Sequence, residues 1–580
     1  MKGRRGKIIL LLLILAAIAA FFLFGLGDYL TLEALKARQA ELGALVEARP
    51  FLAIGAFFLL YVAVTALSLP GAAILTLAAG AIFGLWLGTA IASLASTLGA
   101  SLAFLSARYL LRDWVKATFG RRVAAIDRGI ERDGDFYLLT LRLIPIFPFF
   151  LVNLAMGLTG MRLGRYALVS WIGMLAGTFV YVNAGTELAR ITSTADILSP
   201  TLIGAFVLLG IFPLIAKAAV GFMRRRRVYK GWRRPRKFDR NLIVIGAGAG
   251  GLVTAYIAAT VRAKVTLIEA NRMGGDCLNT GCVPSTALIR SARLAHEMRT
   301  ADYFGLAPRE PDFDFKTVMK RIRTIIEVIE PADSVERYTS LGVDVRLGYA
   351  KLVDPWTVEI DGTERLTTRA IVIAAGGEPA VPDIPGLKEA GYLTSDTMWD
   401  ALSHRDAMPQ RLVILGGGPI GTEMAQAFAR LGAEVTLITH GPRLLPKEDE
   451  DVSAFIAERL EEEGVAIRTS HEALRVEGKA LFVKKAPPLD GEGLGWGDAN
   501  EARALSGDSA ATETTLPFDD IVVAVGRKAR LTGYGLEELG IATDKTVVTN
   551  DYLETLYPNI FAAGNVAGPY QFTHFAAHQA

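Results

Sequence analysis

Residues 51–107 contain no charged side chain, and this uncharged stretch constrains the fold more than any other feature of the sequence. About 20 apolar residues suffice for a helix to cross the hydrocarbon core of a bilayer. The stretch is therefore too long for a single span, and Pro70 and Gly71 interrupt it. We predict two spans that flank a re-entrant segment, whose non-helical backbone must be buried in protein or line a wet cavity.

Other apolar segments extend this membrane region over residues 1–220. Residues 8–26 are long enough to span a bilayer, although a cleaved signal peptide is an alternative interpretation. Further spans are predicted at 166–185 and 199–219, and residues 29–49 have the helical polar–apolar pattern of an interfacial helix. Charged residues become frequent from about residue 236 onward, which predicts a water-soluble second part.

Basic residues flank the membrane region at positions 2–7 and 224–237. Lys and Arg next to a span are retained on the cytoplasmic side, so we interpret residues 221–237 as a basic cytoplasmic linker in a multi-pass protein of the inner (plasma) membrane. Contact with anionic membrane lipid is compatible with this interpretation. Nucleic-acid binding is the weaker alternative, because no recognition motif accompanies the charge, and we expect no nucleic-acid partner.

One apolar segment, residues 141–157, carries polar and helix-breaking residues that mark a candidate membrane site. An ionisable side chain inside a span is costly and is a functional-site hypothesis by default. A snorkelling arginine in an interfacial loop is the alternative. The candidate residues are Arg142, Pro145, Pro148 and Asn153.

Three sequence runs in this region resemble the DedA-like, SNARE-associated membrane protein family over roughly residues 50–220. They are PGAAILTLAAGAIFG at 70–84, RLIPIFPFFLVNLAMGLT at 142–159 and GMLAGTFVYVNAG at 173–185. The resemblance implies an all-helical membrane domain with paired re-entrant segments. It also implies a link to the movement of lipid or small solutes.

A glycine-rich turn opens the soluble part. Residues 241–245 read as a buried strand that leads into Gly246, Gly248 and Gly251, and Glu269 ends the next strand. This spacing suits a dinucleotide: the glycines allow a tight turn, close approach of a pyrophosphate and close helix packing, and the acid accepts bonds from a ribose. The helix N-terminus favours the phosphate charge.

The signature recurs at Gly416, Gly418 and Gly421, again between a strand and a helix. Two such units imply two dinucleotides, one resident and one visiting, which is the arrangement that a hydride relay needs. Thr439 stands where an acid would bind the ribose 2′-hydroxyl, and Arg443 follows within reach of a 2′-phosphate. Gly421 at the third glycine position favours NADH instead, so NADP and NAD both remain candidates for the nicotinamide cofactor, with NADP preferred.

The only two cysteines, Cys277 and Cys282, lie between these glycine motifs. A zinc half-site, a structural disulfide and a redox-active dithiol are the alternatives. Zinc needs four ligands and no further cysteine exists, so we expect no metal, and structural disulfides are rare in the cytoplasm. A dithiol that opens and closes is favoured, because residues 285–298 look helical and a helix N-terminus lowers a thiol pKa.

The second part resembles the pyridine nucleotide-disulfide oxidoreductases, which include dihydrolipoamide dehydrogenase and mercuric reductase, over residues 238–580. The resemblance rests on the glycine motifs and on four sequence runs: GGDCLNTGCVPS at 274–285, AIVIAAGGEPAVPDIPG at 370–386, AVGR at 524–527 and NIFAAGNVAGPYQFTHFAAHQA at 559–580. The resemblance implies an α/β fold with Rossmann-like FAD- and NAD(P)-binding domains. These would occupy 238–391 and 392–527, with 528–580 returning to the FAD domain.

The resemblance also implies roles for single residues. Cys277 would exchange with substrate while Cys282 lies against the flavin. The expected cofactor-binding residues are Gly246, Gly248, Gly251, Glu269, Gly275, Gly376, Gly416, Gly418, Gly421, Arg443, Gly526 and Asn565.

The sequence departs from the family pattern at three places. Thr286 replaces a lysine that adds positive charge near the flavin, and Asn565 replaces an aspartate but can still bond a ribityl hydroxyl. The chain ends at Ala580, before the domain that supplies the partner's base and the homodimer surface in the family. We expect a chain of this length to bind FAD but to turn over slowly.

Together these patterns predict a membrane-anchored enzyme. NAD(P)H would reduce FAD, FAD the dithiol, and the dithiol a disulfide, metal ion or other acceptor. The alternative is a membrane transport or lipid-handling protein whose flavoprotein part senses redox state. Residues 485–516, rich in Gly, Ala and acids, are predicted to be a surface loop without chemistry of its own.

Overall fold

The structure is a computed structural model that describes residues 39–110, 135–143, 148–190, 199–486 and 513–580, with isolated positions between 12 and 25. The chain divides into two compact units, Met1–Arg227 and Val228–Ala580. Most of the predicted span at 8–26, Pro145 and most of the predicted loop at 485–516 lie outside the described residues.

Helices account for the described part of the first unit. Three of them, α3, α6 and α7, are long and apolar enough to cross a membrane. This region of apolar helices confirms the helical membrane part of the predicted fold class. The helices are α1 (Gln39–Ala48), α2 (Pro50–Ala66), α3 (Ala72–Leu110), α4 (Asp135–Leu143), α5 (Phe149–Leu158), α6 (Leu163–Ala189) and α7 (Pro200–Val228).

The chain reverses direction inside α3 at Gly84, which has φ +75° and ψ −179°. A Cβ added to Gly88 would lie 2.5 Å from the carbonyl oxygen of Ala79. In a straight helix nine residues span roughly 13 Å, so this contact requires the two halves of α3 to fold back on each other. A reversal within an apolar run is the geometry that a re-entrant segment needs.

Glycines bring this hairpin close to α6. A Cβ on Gly80 would lie 2.0 Å from the carbonyl oxygen of Val182, and one on Gly185 would lie 1.9 Å from that of Leu77. Neither clash could be relieved by a side-chain rotation, because the opposing atoms belong to the backbone. Small residues that permit such close backbone approach are typical of helix packing in membranes.

The second unit is an α/β fold, which confirms the rest of the predicted fold class. Its strands are β1 (Arg240–Ile245), β2 (Val265–Glu269), β3 (Val343–Leu347), β4 (Ala350–Asp354), β5 (Thr357–Ile360), β6 (Glu364–Ile373), β7 (Gly377–Pro379), β8 (Arg411–Leu415), β9 (Glu434–Ile438), β10 (Ala466–Arg468), β11 (His471–Glu477), β12 (Ala480–Lys485), β13 (Thr514–Pro517), β14 (Asp520–Val523), β15 (Arg527–Ala529) and β16 (Ile560–Ala562).

The largest sheet of the second unit has the strand order β3-β2-β1-β6-β5-β4, with β16 also pairing with β6. Strands β3, β2, β1, β6 and β16 run parallel, whereas β4, β5 and β6 form an antiparallel meander. A second sheet, β10-β9-β8-β14, is parallel throughout. Strands β11-β12-β13 form a third sheet and β15-β7 a two-stranded ribbon.

The helices of the second unit are α8 (Ala249–Thr260), α9 (Gly275–Asn279), α10 (Cys282–Arg299), α11 (Phe315–Ile329), α12 (Val335–Ser340), α13 (Leu387–Ala390), α14 (Met398–Ser403), α15 (Pro419–Arg430), α16 (Glu450–Glu462) and α17 (Thr573–Gln579).

Buried aliphatic side chains explain why the parallel strands lie at the centre of each layer. Ile243, Ile371 and Ile560, from β1, β6 and β16, are fully buried in one core. Leu412 and Phe428 contribute to another, which joins β8 and α15 to α10. Each parallel sheet places the carboxyl ends of its strands at one edge, where ligands bind in open α/β sheets.

Candidate functional site

The first glycine loop joins β1 to α8. Gly246 adopts φ +100°, and a Cβ there would lie 2.3 Å from the carbonyl oxygen of Ala374. A Cβ on Gly251 would lie 1.7 Å from the carbonyl oxygen of Gly246. Gly248 caps α8, so the backbone N–H groups of the first turn face the loop. Glu269 ends β2 and accepts hydrogen bonds from the N–H groups of Ala247 (2.6 Å) and Asn271 (2.8 Å).

The second glycine loop joins β8 to α15 with almost the same geometry. Gly416 adopts φ +116°, and a Cβ on it would lie 2.3 Å from the carbonyl oxygen of Ala524. A Cβ on Gly421 would lie 1.9 Å from the carbonyl oxygen of Gly416, whereas one on Gly418, the cap of α15, would meet nothing within 4 Å. The two loops therefore share a backbone framework because both need a tight turn and close helix packing.

Side chains beyond β9 shape the end of the second loop. Thr439 is buried, and a Cβ on Gly417 would lie 3.0 Å from its Cβ. Arg443 donates to the carbonyl oxygens of Glu448 (2.7 Å) and Pro446 (3.1 Å). The threonine therefore packs against the loop, and the arginine holds the following turn.

The two cysteines lie on consecutive short elements. Cys277 is in α9 and is half-buried, and Cys282 is the first residue of α10 and is exposed. Both are free thiols. The turn between them is fixed because Trp399 Nε1 donates to the carbonyl oxygen of Thr280 at 2.8 Å. Cys282 thus occupies the helix N-terminus that the sequence predicted for the pair.

Their electrostatics differ strongly. The pKa of Cys282 is lowered to about 5, chiefly because the Cys277 thiol donates a hydrogen bond to it, with smaller contributions from Thr573 and His574. The pKa of Cys277 is raised well above its usual value by that same hydrogen bond and by burial. The reduced pair is therefore one thiolate, at Cys282, and one thiol, at Cys277.

This polarisation predicts a pH dependence of the reduced, FAD-loaded protein. A lowered pKa means that the Cys282 thiolate persists above about pH 5 and is protonated as the pH falls through that value. We expect the long-wavelength thiolate–flavin charge-transfer absorbance to be stable from pH 8 to about pH 6 and to disappear with a midpoint near 5. An anaerobic absorbance titration measures it. A midpoint near 8.5, the ordinary thiol value, would contradict the polarisation.

An ion-pair network beside the dithiol was not anticipated from the sequence. Arg527, in the AVGR run, contacts Asp276 at 2.6 Å and Asp396 at 3.0 Å, and it donates to the carbonyl oxygen of Gly377 at 2.9 Å. Burial raises the pKa of Asp276 in spite of the arginine. Since Asp276 precedes Cys277, the network fixes α9 against β7 and the segment that precedes α14.

The final helix supplies two more neighbours that sequence reasoning did not select. Thr573 Oγ1 lies 3.4 Å from Cys282 Sγ, and the charge of the adjacent His574 lowers the Cys282 pKa. The His574 ring stacks on that of Phe572 with centroids 5.6 Å apart. The sequence places Thr573 on the segment that returns to the FAD domain, which was the one indication of its position. No spacing in the sequence relates Thr573 to a cysteine 291 residues earlier.

The remaining expected cofactor residues occupy turns near these loops. Gly275, Gly376 and Gly526 all have positive φ, of +55°, +69° and +131°. A Cβ on Gly275 would lie 2.6 Å from Gly248 Cα, so α9 begins against the first glycine loop. Asn565 lies half-buried in a short 3₁₀ turn after β16.

These residues fit the two cofactors that the sequence implies. The first loop would hold the pyrophosphate of FAD at the N-terminus of α8, with Glu269 at the ribose end. The second loop would hold NAD(P)H in the same way at α15. The crowded glycines show that both loops are shaped by backbone contacts that a side chain would prevent.

The first unit contains a separate polar cluster. Arg142 is buried and donates to Ser170 Oγ (3.1 Å), Asn153 Oδ1 (2.7 Å) and Tyr166 Oη (2.5 Å). Gly173 makes room for it, since a Cβ there would lie 2.7 Å from Arg142 Cβ. Within the described ranges no carboxylate pairs with Arg142. The structure therefore brings together two of the candidate residues, Arg142 and Asn153, and adds two hydroxyl partners.

Pro148 directly precedes α5 and marks its start. Among the contacts that the structure describes, none joins Pro148 to the Arg142 guanidinium. Tyr166 and Ser170 were not among the residues predicted from the sequence. Their spacing of four on α6 puts them on one helix face, which was the available signal.

Comparisons with known proteins match both parts of the chain. Residues 240–580 match the family model described as pyridine nucleotide-disulphide oxidoreductase. Residues 69–187 match the VTT domain.

Relatives with similar sequences include a dihydrolipoyl dehydrogenase and a mercuric reductase. A dihydrolipoyl dehydrogenase of Thermus scotoductus is 32% identical over 348 residues, which cover 58% of this chain and 68% of the relative. A mercuric reductase of Bacillus cereus is 30% identical over 344 residues, 59% of this chain but only 51% of the relative. A solved structure, the Cu(II) complex of the HOCl-induced flavoprotein disulfide reductase RclA from Escherichia coli, is 25% identical, with a TM-score of 0.48 and coverage of 59% and 69%.

Proposed function

Because the chain belongs to the pyridine nucleotide-disulphide oxidoreductase family, we propose that it carries electrons from NAD(P)H through FAD to the Cys277–Cys282 pair. The acceptor that the dithiol then reduces is a disulfide, a metal ion or another oxidant. FAD, when bound, accepts hydride from NAD(P)H and passes the electron pair to the cysteines. The observation that carries this proposal is geometric: α9, which contains Cys277, begins against the first glycine loop, and Cys282 follows at the N-terminus of α10.

The polarised pair suits disulfide exchange. Cys277 would attack one sulfur of a disulfide acceptor and release the first thiol. The Cys282 thiolate would then attack Cys277, closing the internal disulfide and releasing the second thiol. The electron pair of the dithiol thus passes to the acceptor, which takes up two protons.

Attack by Cys277 needs removal of the proton that it donates to Cys282. A proton acceptor must come within about 3 Å, directly or through one water. Thr573 Oγ1 lies 3.4 Å from Cys282 Sγ, and Thr573 and His574 both lower the Cys282 pKa, so these two groups stabilise the thiolate at Cys282. We propose that the base is supplied by the partner subunit of a homodimer, as the family resemblance implies.

Acceptor-dependent oxidation of NAD(P)H by the full chain tests the proposed activity. A panel of disulfides, quinones and metal ions should contain at least one acceptor that accelerates oxidation above the slow reaction with oxygen. Binding of FAD without acceleration by any of them would favour the alternative function given below.

We propose NADPH as the electron donor. No acid stands at the end of β9, where Thr439 is buried, so nothing there repels a 2′-phosphate. We expect faster anaerobic flavin reduction by NADPH than by NADH in stopped flow. Arg443→Gln should reduce that preference by about five- to tenfold, because the turn after β9, which Arg443 holds through the carbonyl oxygens of Glu448 and Pro446, loses its cation. Faster reduction by NADH would overturn the choice.

The VTT match and the three apolar helices make this chain a membrane protein. We propose that it lies in the inner (plasma) membrane as a multi-pass protein with its oxidoreductase unit in the cytoplasm. The basic residues that end α7, Arg225, Arg226 and Arg227, support this orientation.

The orientation can be tested with reporters fused after Lys237. A cytoplasm-active reporter should work at this position, and one that is active only outside the cytoplasm should not. The same two reporters fused after Val228, the last residue of α7, are the matched control, because these fusions omit residues 229–237. Activity of only the external reporter would contradict the proposed topology.

A second candidate function rests on the Arg142 cluster. A buried guanidinium whose described partners are all neutral is costly unless it serves a site. The alternative is therefore a transport or lipid-handling protein whose flavoprotein part senses redox state. Arg142→Gln discriminates the two: unchanged acceptor reduction by this variant supports an enzyme with an independent membrane part.

A further inference from the structure

A group of basic side chains surrounds one phenylalanine ring on the second unit, apart from the dithiol and both glycine loops. Arg234, Arg236 and Lys237 come from the segment between α7 and β1, and Arg369 comes from β6. Together with Phe238 they line an open cavity of about 560 Å³. We call it the basic pocket.

The ring organises two of the cations. The guanidinium carbons of Arg234 and Arg369 lie 5.6 and 5.9 Å from the centroid of the Phe238 ring. Cation–π attraction at this distance holds planar groups next to the ring. Both arginines remain exposed, so their N–H donors are available to a ligand. Guanidinium groups bind phosphate oxygens in bidentate fashion, which a single lysine cannot do.

No acidic side chain neutralises the basic pocket in the part of the chain that the structure describes. The adjacent Asp239 accepts hydrogen bonds from the N–H and Oγ1 of Thr367, at 2.9 and 2.8 Å. Arg240, the next cation along the chain, pairs with Asp344 at 2.7 Å. Among the residues that the structure describes, the cations of the basic pocket form no such pair, so their mutual repulsion is relieved best by an anion from outside.

Membrane topology alone does not account for this arrangement. Lys and Arg close to the end of a span act as topology signals, and this role alone explains why residues 234, 236 and 237 are basic. Arg369 is remote from every predicted span in sequence and lies on a strand of the large sheet. Its convergence with the other three therefore points to a ligand.

The covalent chain keeps the basic pocket near the bilayer. Arg234 follows Val228, the last residue of α7, by six positions, and six residues reach at most about 20 Å. The intervening segment is held on the second unit, where the Tyr229 and Trp356 rings stack at 4.7 Å and Trp232 Nε1 donates to Tyr557 Oη at 3.1 Å. The anions available at that distance in high concentration are lipid phosphates.

We propose that the basic pocket binds the phosphate of an anionic phospholipid headgroup in the leaflet where α7 ends. The proposal rests on the membrane anchoring of the chain and is independent of the dithiol chemistry. Arg234 and Arg369 would clamp the phosphate beside the Phe238 ring, while Arg236 and Lys237 contribute charge. The flavoprotein unit would thereby bind lipid through its own sheet as well as through the linker.

Binding of short-chain fluorescent lipids to the FAD-loaded full chain in a non-ionic detergent tests this. Phosphatidylglycerol should bind at least about tenfold more tightly than phosphatidylcholine, and the difference should shrink as salt rises from 0.05 to 0.5 M. Arg369→Gln should weaken phosphatidylglycerol binding about fivefold and leave phosphatidylcholine binding and FAD content unchanged.

Arg365→Gln is the matched control, because Arg365 lies on the same strand but pairs with Glu359 at 2.7 Å outside the basic pocket. It should bind phosphatidylglycerol as the wild type does. Equal weakening by both variants, or none by Arg369→Gln, would overturn the proposal. So would displacement of the lipid by an equal concentration of inorganic phosphate or of a short oligonucleotide, which would assign the basic pocket to a free phosphate or to nucleic acid.

Discussion

Replacing Cys282 with serine is expected to abolish the thiolate–flavin charge-transfer band and to lower acceptor reduction by about a thousandfold or more. Cys282 is the sulfur that carries the negative charge, with its pKa lowered to about 5. A serine hydroxyl stays protonated at any pH that the protein survives, so no donor remains next to the flavin. Anaerobic spectra and acceptor-dependent NADPH oxidation measure both effects.

Variants at Cys277 are the matched controls. Cys277→Ser should show the band without prior reduction, because Cys282 can no longer form the internal disulfide. Cys277→Ala should show it too, but its titration midpoint should move up from about 5, since the hydrogen bond from Cys277 is the main cause of the lowered value. A band in Cys282→Ser and none in Cys277→Ser would reverse the roles of the two cysteines.

Alanine at the first glycine of each loop is expected to remove one cofactor and spare the other. In Gly246→Ala the new Cβ would meet Ala374 O at 2.3 Å, and the residue would keep a φ near +100°. Strain of this kind costs about 3 kcal/mol, which corresponds to about a hundredfold in affinity. We expect Gly246→Ala to be purified nearly colourless, with FAD content as the measurement.

In Gly416→Ala the new Cβ would lie 2.3 Å from the carbonyl oxygen of Ala524, the same distance as in Gly246→Ala. This variant therefore tests the second loop. It should be purified yellow, and NADPH should reduce its flavin about a hundredfold more slowly. Dithionite should still reduce that flavin at the normal rate, which separates lost nicotinamide binding from a damaged flavin site. Loss of FAD in Gly416→Ala with retention in Gly246→Ala would mean that the two loops are assigned to the wrong cofactors.

Local patterns were enough to predict the architecture. A run of residues without charges can be buried only in lipid or against other apolar helices. The chain reverses direction at Gly84, a glycine within that run. The two glycine motifs specify their own turns, because each clash that they avoid involves backbone within the same βαβ unit or the strand beside it. The assignments of single residues to FAD or NAD(P)H remain predictions that the variants above will test.

The sequence by itself therefore determined the helical membrane part, the two dinucleotide loops and the cysteine pair, since each depends on neighbours in the chain. Only the tertiary structure decided which partners surround them. Arg527 meets Asp276 from 251 positions away, and Thr573 approaches Cys282 only because α17 returns to the first glycine loop. Charge distribution depends on such distances in space. The resemblance already implied that Cys282 faces the flavin, but the neighbours that lower its pKa, Thr573 and His574 among them, could be identified only from the packing.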